Sequence, residues 1–272
     1  MLTPATRVLV VTGGWSAERE GCLASGKAVA DCLEAAGQPC RLHDLAPAGP
    51  RDAAVRGLLA EAEAFRADVV YVALHGPFGE DGTIQGLLEL AGLPYNGSGV
   101  LASSLANDKV VAKQVFVANK ITTPRSAVIP RGARPAGPPL ALPVVLKPRA
   151  LGSSVGVSLV ERTEEFGAAV ELAAAHGQDV LVEAFVRGRE LTAGVLDGEP
   201  LPLVEVVPPG RIYDYAAKYT PGGAVHKCPA PMPKKQYEAA QRTAAAAYQA
   251  LGCEGAARVD MIAEDTGTLY VI

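Results

Sequence analysis

Four stretches of this 272-residue chain carry residue types that could bind or neutralise charged small molecules. The first is Val144-Val-Leu-Lys-Pro-Arg-Ala-Leu-Gly-Ser-Ser-Val-Gly156. An apolar β-branched run ends at Lys147 and is followed by a small-residue loop, Gly152 to Gly156, and a second apolar run, Val157 to Val160. This pattern predicts two strands joined by a glycine hairpin with a lysine at its base. Glycines let backbone N–H groups approach an anion closely, and Lys147 adds a compact charge suited to phosphate. An ordinary hairpin turn with a surface lysine reads the same residues. The second stretch holds Arg258 and Asp260, which alternate along one predicted strand and so share a face. Two opposite charges in an otherwise apolar segment are costly without partners or ligands. The third and fourth hold Glu18 and His75, each just beyond a predicted strand. Glu18 could meet an ammonium group, or serve only as an acid favoured by a helix N-terminus. His75 could equally be structural.

The elements that must position these residues alternate between strand and helix over the first hundred residues. Arg7 to Gly14 and Asp68 to Leu74 are continuous apolar runs, as in buried parallel strands. Pro39 to Asp44 is a shorter strand. Helices are predicted from about Ser16, as cap, to Ala36, over 52–65 and over 83–92. This alternation predicts a doubly wound α/β domain, in which ligands bind beyond the carboxyl ends of the strands. Downstream, 103–119 reads as one helix containing Asp108 and Lys109, and 131–143 as a surface loop. Helix 164–175 and strand 179–186 follow. Strands 190–196 and 201–207 flank the Asp197-Gly198 turn. Residues 212–225 read as a mobile loop, 234–251 as an Ala-rich helix ended by Gly252, and 257–263 with 268–272 as a last hairpin. That final strand ends the chain without a turn or polar tail, which reads as a truncated sequence.

Composition narrows the class. A net charge of −4 gives no basic face for nucleic acid, so no nucleic-acid partner is expected. No apolar run approaches the roughly 18 residues of a membrane helix, and the N-terminus lacks a signal-peptide pattern. Five cysteines without a C-x-x-C pair point to reduced thiols in the cytoplasm.

Taken in order, Gly13-Gly-Trp-Ser-Ala-Glu-Arg-Glu20, Ala73-Leu-His-Gly-Pro-Phe-Gly-Glu-Asp-Gly-Thr83, Gly92 to Gly99, Asp108-Lys109, the Lys147 to Gly156 loop, Tyr213-Asp-Tyr-Ala-Ala-Lys-Tyr219 and Ala257-Arg-Val-Asp260 resemble the D-alanine–D-alanine ligases of the ATP-grasp superfamily. The resemblance covers essentially the whole chain. It implies an α/β fold of the α+β ATP-grasp kind. An N-terminal doubly wound parallel-sheet domain (1–100) is followed by a two-part ATP-grasp module (101–183 and 184–272, the latter incomplete). It also implies ATP and Mg²⁺ (or Mn²⁺, two ions) as cofactors, D-alanine as substrate and a homodimer. The implied reaction phosphorylates one D-alanine carboxylate, and the amine of a second attacks the acyl phosphate.

Residue by residue, the resemblance gives Lys109, Lys147 and Lys218 to the ATP phosphates, with Ser153 and Ser154 in the loop that closes over them. Glu183 and Glu190 would meet the adenine amino group and the ribose hydroxyls, with Phe185 and Val186 beside the ring. Glu18 would hold the first D-alanine's ammonium, with His75 nearby. Tyr219 would link through Ser153 to Glu18, Arg258 would stabilise the oxyanion, and Asp260 would ligate metal. The chain departs from the family pattern at Gly21-Cys22-Leu23, where Val-Ser-Leu is usual, and it lacks the terminal Glu-x-Asn metal motif. On this reading the chain as given is expected to be an impaired ligase. The rival readings are an ATP-grasp ligase of another acid and a non-catalytic relative that binds nucleotide or amino acid.

Overall fold

The computed structural model describes residues 3–45, 49–213, 220 and 222–272. These form two compact units, divided between Ser104 and Leu105.

The first unit is built on a parallel sheet of order β2-β1-β3, from β1 (Val8–Gly13), β2 (Cys40–Leu45) and β3 (Val69–Val72). The β1 strand is buried along its whole length, as a centre strand covered on both faces must be. Val8 and Val10 pack with Val29 and Leu33 of α1 (Arg19–Ala35). Leu9 and Val11 pack with residues of α2 (Arg51–Phe65) and α3 (Thr83–Leu90). Helices on both faces make this the doubly wound arrangement expected from the alternating pattern. Ser16 does not cap α1. The N-cap is Glu18, whose N–H donates to the Ser16 hydroxyl at 3.2 Å in a turn ahead of the helix.

The second unit holds two antiparallel sheets. One has the order β4-β7-β5-β6, from β4 (Ser126–Ile129), β5 (Val144–Pro148), β6 (Ser158–Val160) and β7 (Val180–Ala184), with α6 (Thr163–Ala174) packed on it. The β5–β6 pair is the predicted glycine hairpin, in register Val144↔Val160 and Leu146↔Ser158. The other sheet follows β11-β10-β8-β12-β13. It comprises β8 (Arg189–Leu196), β9 (Glu199–Pro200, paired with β8), β10 (Val204–Val207), β11 (Val225–Lys227), β12 (Ala256–Ala263) and β13 (Leu269–Val271). The amphipathic α7 (Lys234–Leu251) buries Ala240, Ala244, Ala247 and Tyr248 against this sheet and ends at Gly252 in the left-handed region (φ +69°). The Asp197-Gly198 turn has φ +48° and +86°, as a two-residue hairpin loop matched to strand twist requires.

The expected single helix over 103–119 is instead two, α4 (Val100–Asn107) and α5 (Lys109–Ala118). Asp108 breaks it. Its backbone is extended (φ −86°, ψ +96°), and its carboxylate accepts from the N–H groups of Val110 and Val111, as an N-cap does. Apolar periodicity runs straight through this point, so only the capping chemistry marks the boundary.

Leu146 is fully buried in the cluster formed by β5, β7 and α6. Leu146→Ala should lower the unfolding free energy by about 2–5 kcal/mol, the usual range for such a cavity. An unchanged urea midpoint would show that the hairpin does not rest on this core.

Candidate active site

Each unit gathers its own set of candidate residues. In the first, the carboxyl ends of β1 and β3 carry Glu18 and His75. Gly76 (φ +71°) leaves the space that the Glu18 carboxylate occupies, since a Cβ there would collide with it. The His75 ring lies between two partners. Its Nε2 is 3.1 Å from the Ser25 hydroxyl, and its Nδ1 is 3.9 Å from a Glu80 oxygen. The other Glu80 oxygen accepts the Gly76 N–H at 2.7 Å, which fixes the carboxylate beside the ring. Glu80 raises the His75 pKa above its ordinary 6.5; burial opposes the rise and Glu18 adds to it. This edge of the sheet therefore collects carboxylates and favours a cation.

The family-pattern departures fall here too. The Cys22 thiol accepts the His75 N–H at 3.1 Å, tying α1 to the end of β3. Burial pushes this thiol's pKa up, so it stays protonated. At Gly21 a Cβ would meet nothing, so the usual larger side chain would have open space.

In the second unit the opposite charge gathers. Glu183, on β7, is only 3% exposed. Its two oxygens accept from two ammonium groups, Lys113 of α5 at 2.7 Å and Lys147 of β5 at 2.5 Å. Antiparallel register aligns Val145, not Lys147, with Glu183, so Lys147 reaches along the sheet to its partner. Burial alone would raise the Glu183 pKa, but the two lysines outweigh it and hold it at about 2. The carboxylate thus stays ionised, and its stabilising contribution is lost only as pH falls from its ordinary 4.5 through about 2. With both oxygens paired to lysines, Glu183 first of all holds ammonium groups.

Lys109 is the first residue of α5, placed there by the Asp108 cap. Its Nζ donates to the Leu151 carbonyl at 2.6 Å, at the entrance to the glycine loop. Arg149 forks between Asp108 (2.7 Å) and Asp179 (2.9 Å), fixing the start of α5 against the end of β5. Within the loop, Ser153 and Ser154 both take left-handed backbone (φ +52° and +54°), an uncommon state for non-glycine residues. Ser154 donates to the Tyr213 carbonyl at 2.9 Å.

Arg258 and Asp260 do share one face of β12, as alternation predicts. They form a two-point ion pair, with both contacts at 2.9 Å, and Thr192 donates to Asp260 at 2.6 Å. This face is half open to solvent, so the two charges meet each other and water rather than an apolar interior. Lys109, Lys113, Glu183, Arg258 and Asp260 line one cavity of about 160 Å³. The structure thus brings Lys109, Glu183, Arg258 and Asp260 together, with Lys147 bound to that same Glu183. Phe185 and Val186 follow β7 and are half-buried, with the Arg211 guanidinium 5.2 Å from the Phe185 ring centre. Glu190 lies on β8 opposite Val206 and Ile262. Lys218 and Tyr219 lie outside the described residues. Sequence reasoning passed over Lys113. Its one signal was a lysine among Ala112, Phe116 and other apolar positions of a helix.

Two antiparallel sheets, with a lysine-based glycine hairpin in one and an acidic–basic strand in the other, following a doubly wound domain, define an ATP-grasp architecture. Comparisons with known proteins agree. Residues 41–98 match the family model "D-ala D-ala ligase N-terminus" and residues 134–272 the model "D-ala D-ala ligase C-terminus". A D-alanine–D-alanine ligase of Syntrophotalea carbinolica is 47% identical, over 96% of this chain and 83% of the relative. A Bacillus anthracis D-alanine–D-alanine ligase solved with ATP superposes with a TM-score of 0.82 at 27% identity, over 98% of this chain and 85% of that one. A D-Ala:D-Ser ligase from Enterococcus faecalis gives 0.78 at 28%, over 98% and 89%. The chain belongs to the D-alanine–D-alanine ligase family.

The Glu80 contact makes His75 titrate above 6.5, so the stability that it adds is full below that pH, while Glu80 is ionised, and fades as pH rises through the folded value. A proton NMR titration should show this raised midpoint and its return toward 6.5 in Glu80→Gln. Equal midpoints in the two proteins would remove Glu80 as the cause.

Proposed function

We propose the following division of labour in the ATP-dependent joining of two D-alanines for peptidoglycan, the reaction of this family and of this chain. The cationic cluster of the second unit binds the nucleotide. The observation that carries this is that the hairpin holds Lys147 at its base, fixed by Glu183 of β7, and receives Lys109 at its loop through the Leu151 carbonyl. Ammonium groups held by short contacts lose little freedom when a phosphate replaces a partner. Ser153 and Ser154, on a loop with left-handed backbone, offer hydroxyls and N–H groups to the same phosphates. Phe185, Val186 and Glu190 serve the base and ribose, and Lys218 is a further phosphate ligand. Glu183 has one acceptor direction left on each oxygen for the adenine amino group.

Glu18, near His75 and Glu80, offers an anionic edge that suits the ammonium of the first D-alanine. Arg258 supplies the guanidinium that neutralises the acyl oxyanion. The described residues contain no group of three or more metal-ligating side chains. Asp260 is one hard carboxylate, and Mg²⁺ is commonly held by one or two carboxylates plus substrate phosphates, so the donor set fits a nucleotide-borne ion. Such an ion would neutralise charge on the transferring phosphoryl group. Asp260 would supply an oxygen ligand to it, and Thr192 and Arg258 hold that carboxylate in place. The D-Ala:D-Ser relative motivates a second-substrate panel. A homodimer and a cytoplasmic location are consistent with the family.

Phosphate release coupled to ADP formation tests the assignment. Lys147→Met should raise the KM for ATP at least tenfold with little change in the KM for D-alanine, and Glu18→Gln should do the reverse. Matching effects of the two variants on both substrates would overturn the division.

A further inference from the structure

Lys113 belongs to none of the assigned groups, yet it is the most deeply buried lysine beside the nucleotide cluster, at 7% exposed. Its ammonium is pinned by Glu183 at 2.7 Å and by the Thr123 hydroxyl at 2.7 Å. Burial lowers its pKa, and the Glu183 charge works against that. Lys147 holds the other oxygen of the same carboxylate. Two cations therefore share one buried anion.

This stoichiometry has a purpose if Lys147 must move. Were Lys147 the sole partner of Glu183, turning to a phosphate would strand a buried carboxylate, a strongly unfavourable state. With Lys113 in place, Glu183 remains paired on its first oxygen while Lys147 leaves the second. The repulsion between the two ammoniums also weakens the hold on Lys147. We propose that Lys113 is a positioning residue: a resident counter-ion for Glu183 that frees Lys147 to engage the nucleotide phosphates. This rests on the reading of Lys147 as a phosphate ligand.

The test uses the full chain, ATP affinity by isothermal titration calorimetry and steady-state kinetics. Lys113→Met should weaken ATP binding at least tenfold, with kcat at saturating ATP changed less than threefold and the KM for D-alanine unchanged. Lys113→Arg should restore ATP affinity to within threefold. Glu183→Gln removes the charge but keeps a carbonyl acceptor. In that background, adding Lys113→Met should cost no further ATP affinity, because no buried carboxylate remains to be stranded when Lys147 turns away. This comparison does not need the single Lys113→Met protein to fold, since the double variant removes the buried carboxylate together with its resident ammonium and leaves Lys147, whose side chain is 14% exposed, as the one ammonium of the cluster without its anion.

Two results would overturn the proposal. One is unchanged ATP affinity in Lys113→Met while Lys147→Met weakens it. The other is an equal loss from Lys113→Met with and without Glu183, which would mean that Lys113 acts on the nucleotide directly. Unchanged affinity in Lys147→Met would instead remove the phosphate reading on which the proposal rests.

Discussion

The structure depends most on one buried carboxylate, that of Glu183, caught between the ammoniums of Lys113 and Lys147. A lone ion there would carry a heavy desolvation cost, and short contacts on both oxygens offset it. These contacts also join three elements. Lys113 comes from α5, Lys147 from β5 and Glu183 from β7, so the charge balance also ties the four-stranded sheet to α5, whose apolar side packs into the core of the other sheet. Deep burial of chemistry-bearing groups is tolerated because each has been given a partner. The cost falls on Glu183, whose loss would leave two largely buried ammoniums without their anion.

Much of this was legible in the sequence, for reasons visible in particular residues. Apolar runs such as Val8 to Val11 identify buried strands because both faces are covered. The β5–β6 hairpin was legible because glycine and serine interrupt two apolar runs over a short span. Alternation also placed Arg258 and Asp260 on one face, although it could not show that this face is half open and that the two residues neutralise each other. The break at Asp108 was hidden, because capping depends on backbone angles that periodicity does not register. Lys113 was hidden for a related reason. A lysine on a helix reads as solvated unless a carboxylate distant in sequence, here seventy residues on, meets it.

The two clusters have opposite electrostatic character, and each is set by local geometry. Around His75, the Glu80 carboxylate is held by the Gly76 N–H, and the absence of a Cβ at Gly76 makes room for Glu18. That arrangement concentrates negative charge at a strand end and raises the affinity of the histidine for a proton. Around Lys147 and Lys109, lysines outnumber the buried carboxylate. Under the proposed division of labour, these are the surroundings that a zwitterionic substrate and a polyanionic cofactor each call for.

The fork of Arg149 has a mechanical consequence. Lys109 directly follows Asp108, and Lys147 lies two residues before Arg149. The Lys109 N–H also donates to the Arg149 carbonyl at 3.1 Å, and the Arg149 N–H to the Asp179 carbonyl at 3.1 Å. The backbones bearing the two lysines are thus bolted to a common joint. The separation of the two backbones is set by that joint, so any difference in where the two ammoniums reach must come from their side chains alone.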